Sequence, residues 1–367
     1  MSLPVHLIVG ARPNLPKAAA LMAAAEQYGE LVLQLVHTGQ HSDPNLSGRF
    51  AADLGLPPPH IQLPPPEAGS ARLGAMTNAY SAVLAENRPQ AVIVVGDVDS
   101  TLACTMAAAA HRVPVVHVEA GLRSAEEGMR EESNRRVVDR MASRLYTHSR
   151  EATERLLAEG RSADDIAQVG NVMIDTLLAM SSAATPPDLG EIPDEFGLVT
   201  LHRAELLNEP RLLHSIVESL RTISADLPLI FPLHPRTRRR LDALGWVPPR
   251  SMICTSPMLY SRFTWLLARA RIVITDSGGL QEEAAFLGRP CLTVRPDTER
   301  PVTTRTGANR VIGRSPDQLL AAVRETLSEP LPRAPSIPGW DGLAAERTLR
   351  DLSDWLRHHQ SEGAGAT

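Results

Sequence analysis

Short unbroken apolar runs, separated by segments of helical period, limit most strongly what this chain can fold into. LIVG (7–10), LQLVHT (33–38), AVIVVG (91–96), VPVVHV (113–118), LVT (198–200), LIFPL (229–233), RIVIT (271–275) and CLTV (291–294) follow one another along the chain. A strand with one wet face alternates apolar and polar residues, whereas a parallel strand covered on both faces stays apolar throughout. The rhythm therefore predicts a doubly wound α/β fold of parallel sheets with helices on both faces. The Pro-rich, acidic stretch at 183–194 splits the runs into two comparable series and reads as a linker. We expect an N-terminal Rossmann-like domain over residues 1–170, a C-terminal one over 171–340, and a terminal helix with a frayed tail over 341–367. The spacing of Leu343, Leu349, Leu352, Trp355 and Leu356 predicts that helix. Open parallel sheets bind ligands beyond the carboxyl ends of their strands, so two such domains facing each other place a site in the cleft between them.

Charge and cysteine content narrow the function. Lys and Arg total 37 against 42 Asp and Glu, a net charge of -5, which gives no basic field to draw nucleic acid or an anionic membrane. Cys104, Cys254 and Cys291 each sit in apolar surroundings and read as buried reduced thiols, the pattern of a cytoplasmic protein. No basic leader precedes the first apolar run, and no apolar stretch approaches the ~18 residues of a membrane helix.

Candidate chemistry collects at the predicted strand ends. After the first run, GARPNLPK (10–17) sets Arg12 and Lys17 beside a helix start, a place suited to an anion such as phosphate. Lys17 is the single lysine of the chain, and a compact ammonium does what a planar guanidinium cannot. AVIVVG runs into Asp97, VPVVHV into Glu119, and Glu131 opens a helix that carries Arg135 one turn on. Three carboxylates converging on one cleft raise each other's proton affinity and make acid and base roles available together. In the second half, the run ending at 200 leads to His202 and Arg203, and LIFPL leads to His234. A histidine in such a place can donate a proton to, or hold, a phosphate oxygen. TDSGGLQEE (275–283) joins a strand to a helix through Ser277, Gly278 and Gly279. Its amides and helix terminus suit a diphosphate, and Glu283 can accept from ribose hydroxyls. Arg300 follows in DTERP (297–301), and Phe263 completes the candidate substrate contacts.

GARPN…K, HTGQH (37–41), GDVDST (96–101), HVEAGLRS (117–124), EESNR (131–135), VGNVMIDTL (169–177), TLHR.E, TDSGGLQEE and DTERP occur in this order over nearly the whole chain. In them the chain resembles the non-hydrolysing UDP-N-acetylglucosamine 2-epimerases. The resemblance implies two facing Rossmann-like domains as in GT-B glycosyltransferases, a homodimer, and interconversion of UDP-N-acetylglucosamine and UDP-N-acetylmannosamine with neither cofactor nor metal. It puts catalytic roles on Asp97, Glu119, Glu131 and His202, and nucleotide-sugar contacts on Arg12, Lys17, the Ser277-Gly278-Gly279 turn, Glu283 and Arg300. Four positions depart from the family pattern. Asn14 stands where many members have Glu, Arg130 replaces a proline, and Met258 replaces a nucleobase-contacting glutamine. The stretch through which some members bind a second, activating UDP-N-acetylglucosamine begins Gln-His-Arg, and reads Gln40-His41-Ser42 here. Related enzymes act on UDP-2,3-diacetamido sugar acids, and a GT-B glycosyltransferase would share the UDP-binding half.

Overall fold

The computed structural model describes residues 3–40, 44–67, 69, 71–125 and 128–364. Its contacts resolve into two units, each built on one parallel sheet. The first unit holds β1 (Leu3–Val9), β2 (Leu31–His37), β3 (Ile61–Gln62), β4 (Ala91–Val95), β5 (Val115–Val118), β6 (Arg144–Thr147) and β7 (Ile166–Gln168) in the order β3-β2-β1-β4-β5-β6-β7. The second holds β8 (Gly197–Thr200), β9 (Leu229–Pro232), β10 (Met252–Thr255), β11 (Ile272–Thr275), β12 (Cys291–Thr293) and β13 (Asn309–Val311) in the order β10-β9-β8-β11-β12-β13. Every pairing is parallel.

The apolar runs became strands for the reason given above. In the second unit Val199, Ile274 and Leu292 pack into one core cluster, while their neighbours Leu198, Val273 and Cys291 pack into another. Both faces of that sheet are therefore buried, which alternating sequences do not tolerate. All five residues of β4 are buried for the same reason. Five strands carried no such signal. β3, β7, β10 and β13 are short and lie at the edges of the sheets. β6 is internal but reads RLYT, because its Arg144 and Tyr146 bond Asp351 of the helix Ala344–Ala364 at 2.8 and 2.6 Å and at 2.8 Å.

That terminal helix belongs to the first unit. Leu349, Leu352 and Leu356 are buried, Ala345 N donates to Asp175 Oδ2 at 2.7 Å, and Trp340 Nε1 donates to the His148 carbonyl at 3.0 Å. The helix Val172–Ser182 also starts on this unit, burying Ile174 and Leu177 while Thr176 Oγ1 donates to the Pro16 carbonyl at 2.6 Å. The first unit thus takes the chain up to Leu178 and again from Pro338, and the second takes Ala179–Ile337 together with Ser124 and Ala125. All three cysteines are free, Cys104 and Cys291 buried and Cys254 half-buried. Burial pushes the Cys291 thiol up to about 12 and that of Cys254 up to about 11, so neither is a nucleophile at neutral pH. Among the described residues, no helix is long and apolar enough to cross a membrane.

In each sheet the strand order reverses once, between β1 and β4 and between β8 and β11. Loops leaving the carboxyl ends on either side of such a reversal diverge and open a crevice. The loops carrying Arg12, Asp97, His202 and Ser277 leave the sheets at these two places, and those carrying Glu119, His234 and Arg300 leave the strands next to them.

Candidate active site

At the first reversal, the loop after β1 enters the helix Asn14–Tyr28, whose first turn buries Asn14 and Lys17. Asn14 Oδ1 accepts from the amides of Gly10 (3.2 Å) and Ala11 (3.0 Å), and its Nδ2 donates to the Val95 carbonyl at 2.9 Å. One side chain thereby fixes the β1 loop against the end of β4. The same helix turn brings the Lys17 ammonium to Glu119 Oε2 in a buried ion pair, the two residues 7 and 8% exposed.

Glu119 stands at φ 73°. A side chain this bulky costs about 1–3 kcal/mol in that region, and such strain persists where the surroundings over-determine it. Here the amides of Glu119 and Ala120 both donate to the Tyr146 carbonyl, at 3.1 and 3.0 Å. Two features favour glycine at position 96. Its φ is 69°, and a Cβ there would lie 3.0 Å from Lys17 Nζ and 3.3 Å from Glu119 Oε2.

Asp97 follows Gly96 and is paired with Arg135, which is buried and also bonds Glu132 at 2.6 Å. Asn134 Nδ2 donates to the Asp97 carbonyl at 3.0 Å. Two residues on, Asp99 is paired with Arg72 and lies 3.3 Å from an Arg130 nitrogen. Burial works against ionisation of Asp99, but the bonds from Arg72 and Asn134 and the nearby guanidinium charges outweigh it and hold its carboxyl below the ordinary range. Glu131 is exposed in the first turn of the helix Arg130–Met141 that supplies Asn134 and Arg135. Asp97 and Glu119 occupy neighbouring strand tips, each with its own cation. Arg12 lies over the Phe50 ring at 4.1 Å, half-buried beside the same loop. Gln40 Oε1 accepts from the Ser100 amide at 2.8 Å, while His41 and Ser42 lie outside the described residues.

The second reversal is organised by a residue that sequence reading passed over, Asp276. Its Oδ2 accepts from the amides of His202 and Arg203, both at 2.8 Å, and Oδ1 lies 3.1 Å from His202 Nδ1. Burial opposes the charge, yet His202 and these two amides keep Asp276 ionised. The His202 ring stands 6.0 Å from that of His234, so the two histidines of separate strand ends are neighbours. The helix Gly278–Phe286 starts behind them, with Ser277 as its N-cap. At Gly278 a Cβ would lie 2.8 Å from Glu299 Oε1 and 3.0 Å from Arg300 Cζ. Glu299 is nearly fully buried among Arg295 (2.6 Å), Arg300 (2.9 Å) and Arg203 (3.3 Å), and Arg300 Nε lies 3.4 Å from Glu282. Glu283 accepts from the Tyr260 hydroxyl; burial and the charge of Glu282 push its carboxyl up to about 7 against that bond. Phe263 and Met258 pack half-buried against the core cluster beneath β8 and β11. Asn14, Arg72, Asn134, Tyr260, Asp276 and Glu299 complete the two half-sites. Asn14, Asn134, Asp276 and Glu299 lay inside the quoted motifs, and Arg72 and Tyr260 carried no signal.

Residues 23–353 match the family described as UDP-N-acetylglucosamine 2-epimerase. Among curated proteins, a UDP-2,3-diacetamido-2,3-dideoxy-D-glucuronate 2-epimerase from Pseudomonas aeruginosa is 40% identical over 88% of this chain and 92% of its own length. A UDP-N-acetylglucosamine 2-epimerase from Methanocaldococcus jannaschii is 34% identical over 95% and 98%. A crystal structure of the Methanocaldococcus jannaschii UDP-GlcNAc 2-epimerase in complex with UDP-GlcNAc and UDP has TM-score 0.86 at 33% identity, covering 96% of this chain and 99% of that one.

Proposed function

Because the chain belongs to the UDP-N-acetylglucosamine 2-epimerase family, whose members are isomerases, we propose that it inverts C2 of UDP-N-acetylglucosamine to give UDP-N-acetylmannosamine. The observation that carries this reading is the pair of carboxylates, Asp97 and Glu119, at adjacent strand tips, with Glu119 held in a strained backbone conformation against a buried ammonium.

Inversion needs the C2 hydrogen removed. The proton goes to one carboxylate as the C1–O bond breaks and its electron pair leaves with UDP, giving a 2-acetamidoglucal. Re-addition of UDP at C1, with protonation of C2 on the other face, completes the reaction. Two faces require two proton-transfer groups, drawn from Asp97, Glu119 and Glu131. Positioned acid–base groups contribute about 10²–10⁴-fold, roughly 3–5 kcal/mol, so the departing diphosphate must be stabilised as well. The helix start at Gly278 with its neighbouring cations Arg203 and Arg300, together with His202, Arg12 and Lys17, supplies charge and dipoles for that purpose. Tyr260 presents Glu283 to a ribose. UDP must be retained long enough for re-addition.

A second substrate is favoured by one observation. Arg72 and Arg130 both approach Asp99, two residues from Asp97, and Arg130 is largely exposed, so a carboxylate on the sugar would meet cationic charge there. The 40% identical relative bears the name of an enzyme for such an acid. The deciding experiment follows the anomeric proton of each UDP-sugar with no acceptor present. UDP-N-acetylglucosamine is expected to reach a mixture with UDP-N-acetylmannosamine without UDP accumulating in step. Conversion of the diacetamido acid alone would transfer the assignment to that sugar, and turnover only with an acceptor would make the protein a glycosyltransferase.

A further inference from the structure

One buried pair lies beneath both candidate carboxylates without reaching the reacting centre. His117, on β5, is fully buried, and its Nδ1 lies 2.6 Å from Asp139 Oδ1 while its Nε2 lies 2.8 Å from the Gly96 carbonyl. Asp139, on the helix Arg130–Met141, is buried as well. Its second oxygen accepts from the Gly121 amide at 3.1 Å and from Arg123 Nη1 at 2.6 Å, and Arg123 in turn bonds Glu159 at 2.9 and 2.6 Å. Burial opposes charge on Asp139, but His117 and Arg123 outweigh it and hold the carboxyl below its ordinary range. One ring nitrogen thus faces a carboxylate and the other a backbone carbonyl.

The connectivity tells what the pair does. Gly96 immediately precedes Asp97, and Gly121 follows Glu119 by two residues. His117 therefore holds the backbone of one loop, Asp139 holds that of the other, and a bond of 2.6 Å joins the two. Resting on the epimerase reading above, we propose that His117 and Asp139 are positioning residues that lock the Asp97 and Glu119 loops to each other and keep Glu119 at its positive φ. A hydrogen bond to a carboxylate is short and directional, and a catalytic group displaced by an ångström loses rate before it loses ligand.

The test uses the full chain and compares kcat, KM, UDP affinity by calorimetry and the thermal midpoint. Asp139→Asn keeps the shape and loses the charge; kcat is expected to fall at least tenfold while KM and the UDP dissociation constant stay within threefold. His117→Gln sets an amide nitrogen near the Nε2 position and keeps the bond to Gly96. His117→Asn mimics Nδ1 and frees the Asp97 loop, so the Gln variant is expected to retain several times the kcat of the Asn variant. Unchanged kcat in Asp139→Asn, or parallel losses of kcat and UDP binding, would overturn the proposal. So would failure of all three variants to fold, which would make the network a requirement of the fold and not of the rate. A wild-type protein that turns over no UDP-sugar would instead refute the epimerase reading, and the clamp with it.

Discussion

The two reversals of strand order occupy equivalent places in the two sheets, yet the charges around them are arranged differently. In the first unit each strand-tip carboxylate meets a buried cation, Glu119 with Lys17 and Asp97 with Arg135, which also bonds Glu132, and the backbone is strained at Glu119. In the second the matching is collective: Asp276 gathers the amides of His202 and Arg203, and Glu299 gathers three arginines around the start of a helix. Pairing with a buried cation sets the location and proton affinity of a particular carboxylate, which a proton transfer needs. A collective array presents diffuse positive charge and fixed dipoles, which suit a diphosphate that must be held and released. In the proposed function, one such reversal would serve proton transfer and the other would hold the anion.

The contrast breaks first at the carboxylates. Asp97→Asn, Glu119→Gln and Glu131→Gln are each expected to cut turnover at least a hundredfold while UDP binding by calorimetry persists; near-normal rates in all three would erase the distinction. Next comes the ion pair. Lys17→Met leaves the Glu119 carboxylate buried without its ammonium, a change worth about 3–5 kcal/mol in buried pairs. A drop in thermal midpoint and a loss of turnover should appear together, and retention of both would show that the pair is incidental.

Gly278→Ala probes the other half. A methyl placed 2.8 Å from Glu299 Oε1 forces the arginine cluster aside. UDP affinity should weaken roughly tenfold with little change in thermal midpoint, and unaltered affinity would detach the helix start from the diphosphate. The smallest effect concerns Glu283, whose carboxyl titrates from an ordinary value of 4.5 to about 7 on burial. Between those two values the folded chain holds a proton that the unfolded chain has lost. Its contribution to stability is therefore present below about pH 4.5 and declines as pH rises towards 7, with no further change above. In Glu283→Gln that portion of the decline should vanish from a series of thermal midpoints between pH 5 and 7.5.

Much of this was readable from residue order, and what was not has a physical cause. β4 and β11 announce themselves because both faces are covered, so all of β4 and the first three residues of β11 are apolar. β6 stayed hidden because its Arg144 and Tyr146 answer Asp351, some two hundred residues further along the chain. In the site, Asp97, Glu119, His202 and Ser277 could be found because a strand end is a predictable location. Their partners could not. That Lys17 meets Glu119, that Arg123 turns to Asp139 and Glu159, and that Tyr260 reaches Glu283 depend on where helices settle on the sheet, which local pattern does not encode.

The central claim is that carboxylates of the first unit exchange the proton at C2 of a UDP-linked 2-acetamido sugar. Incubation of the protein with UDP-N-acetylglucosamine in D₂O, read by proton NMR, tests it most directly. The account predicts that UDP-N-acetylmannosamine forms with deuterium at C2 and that the remaining UDP-N-acetylglucosamine acquires it in time. Product that keeps its original C2 hydrogen would contradict it.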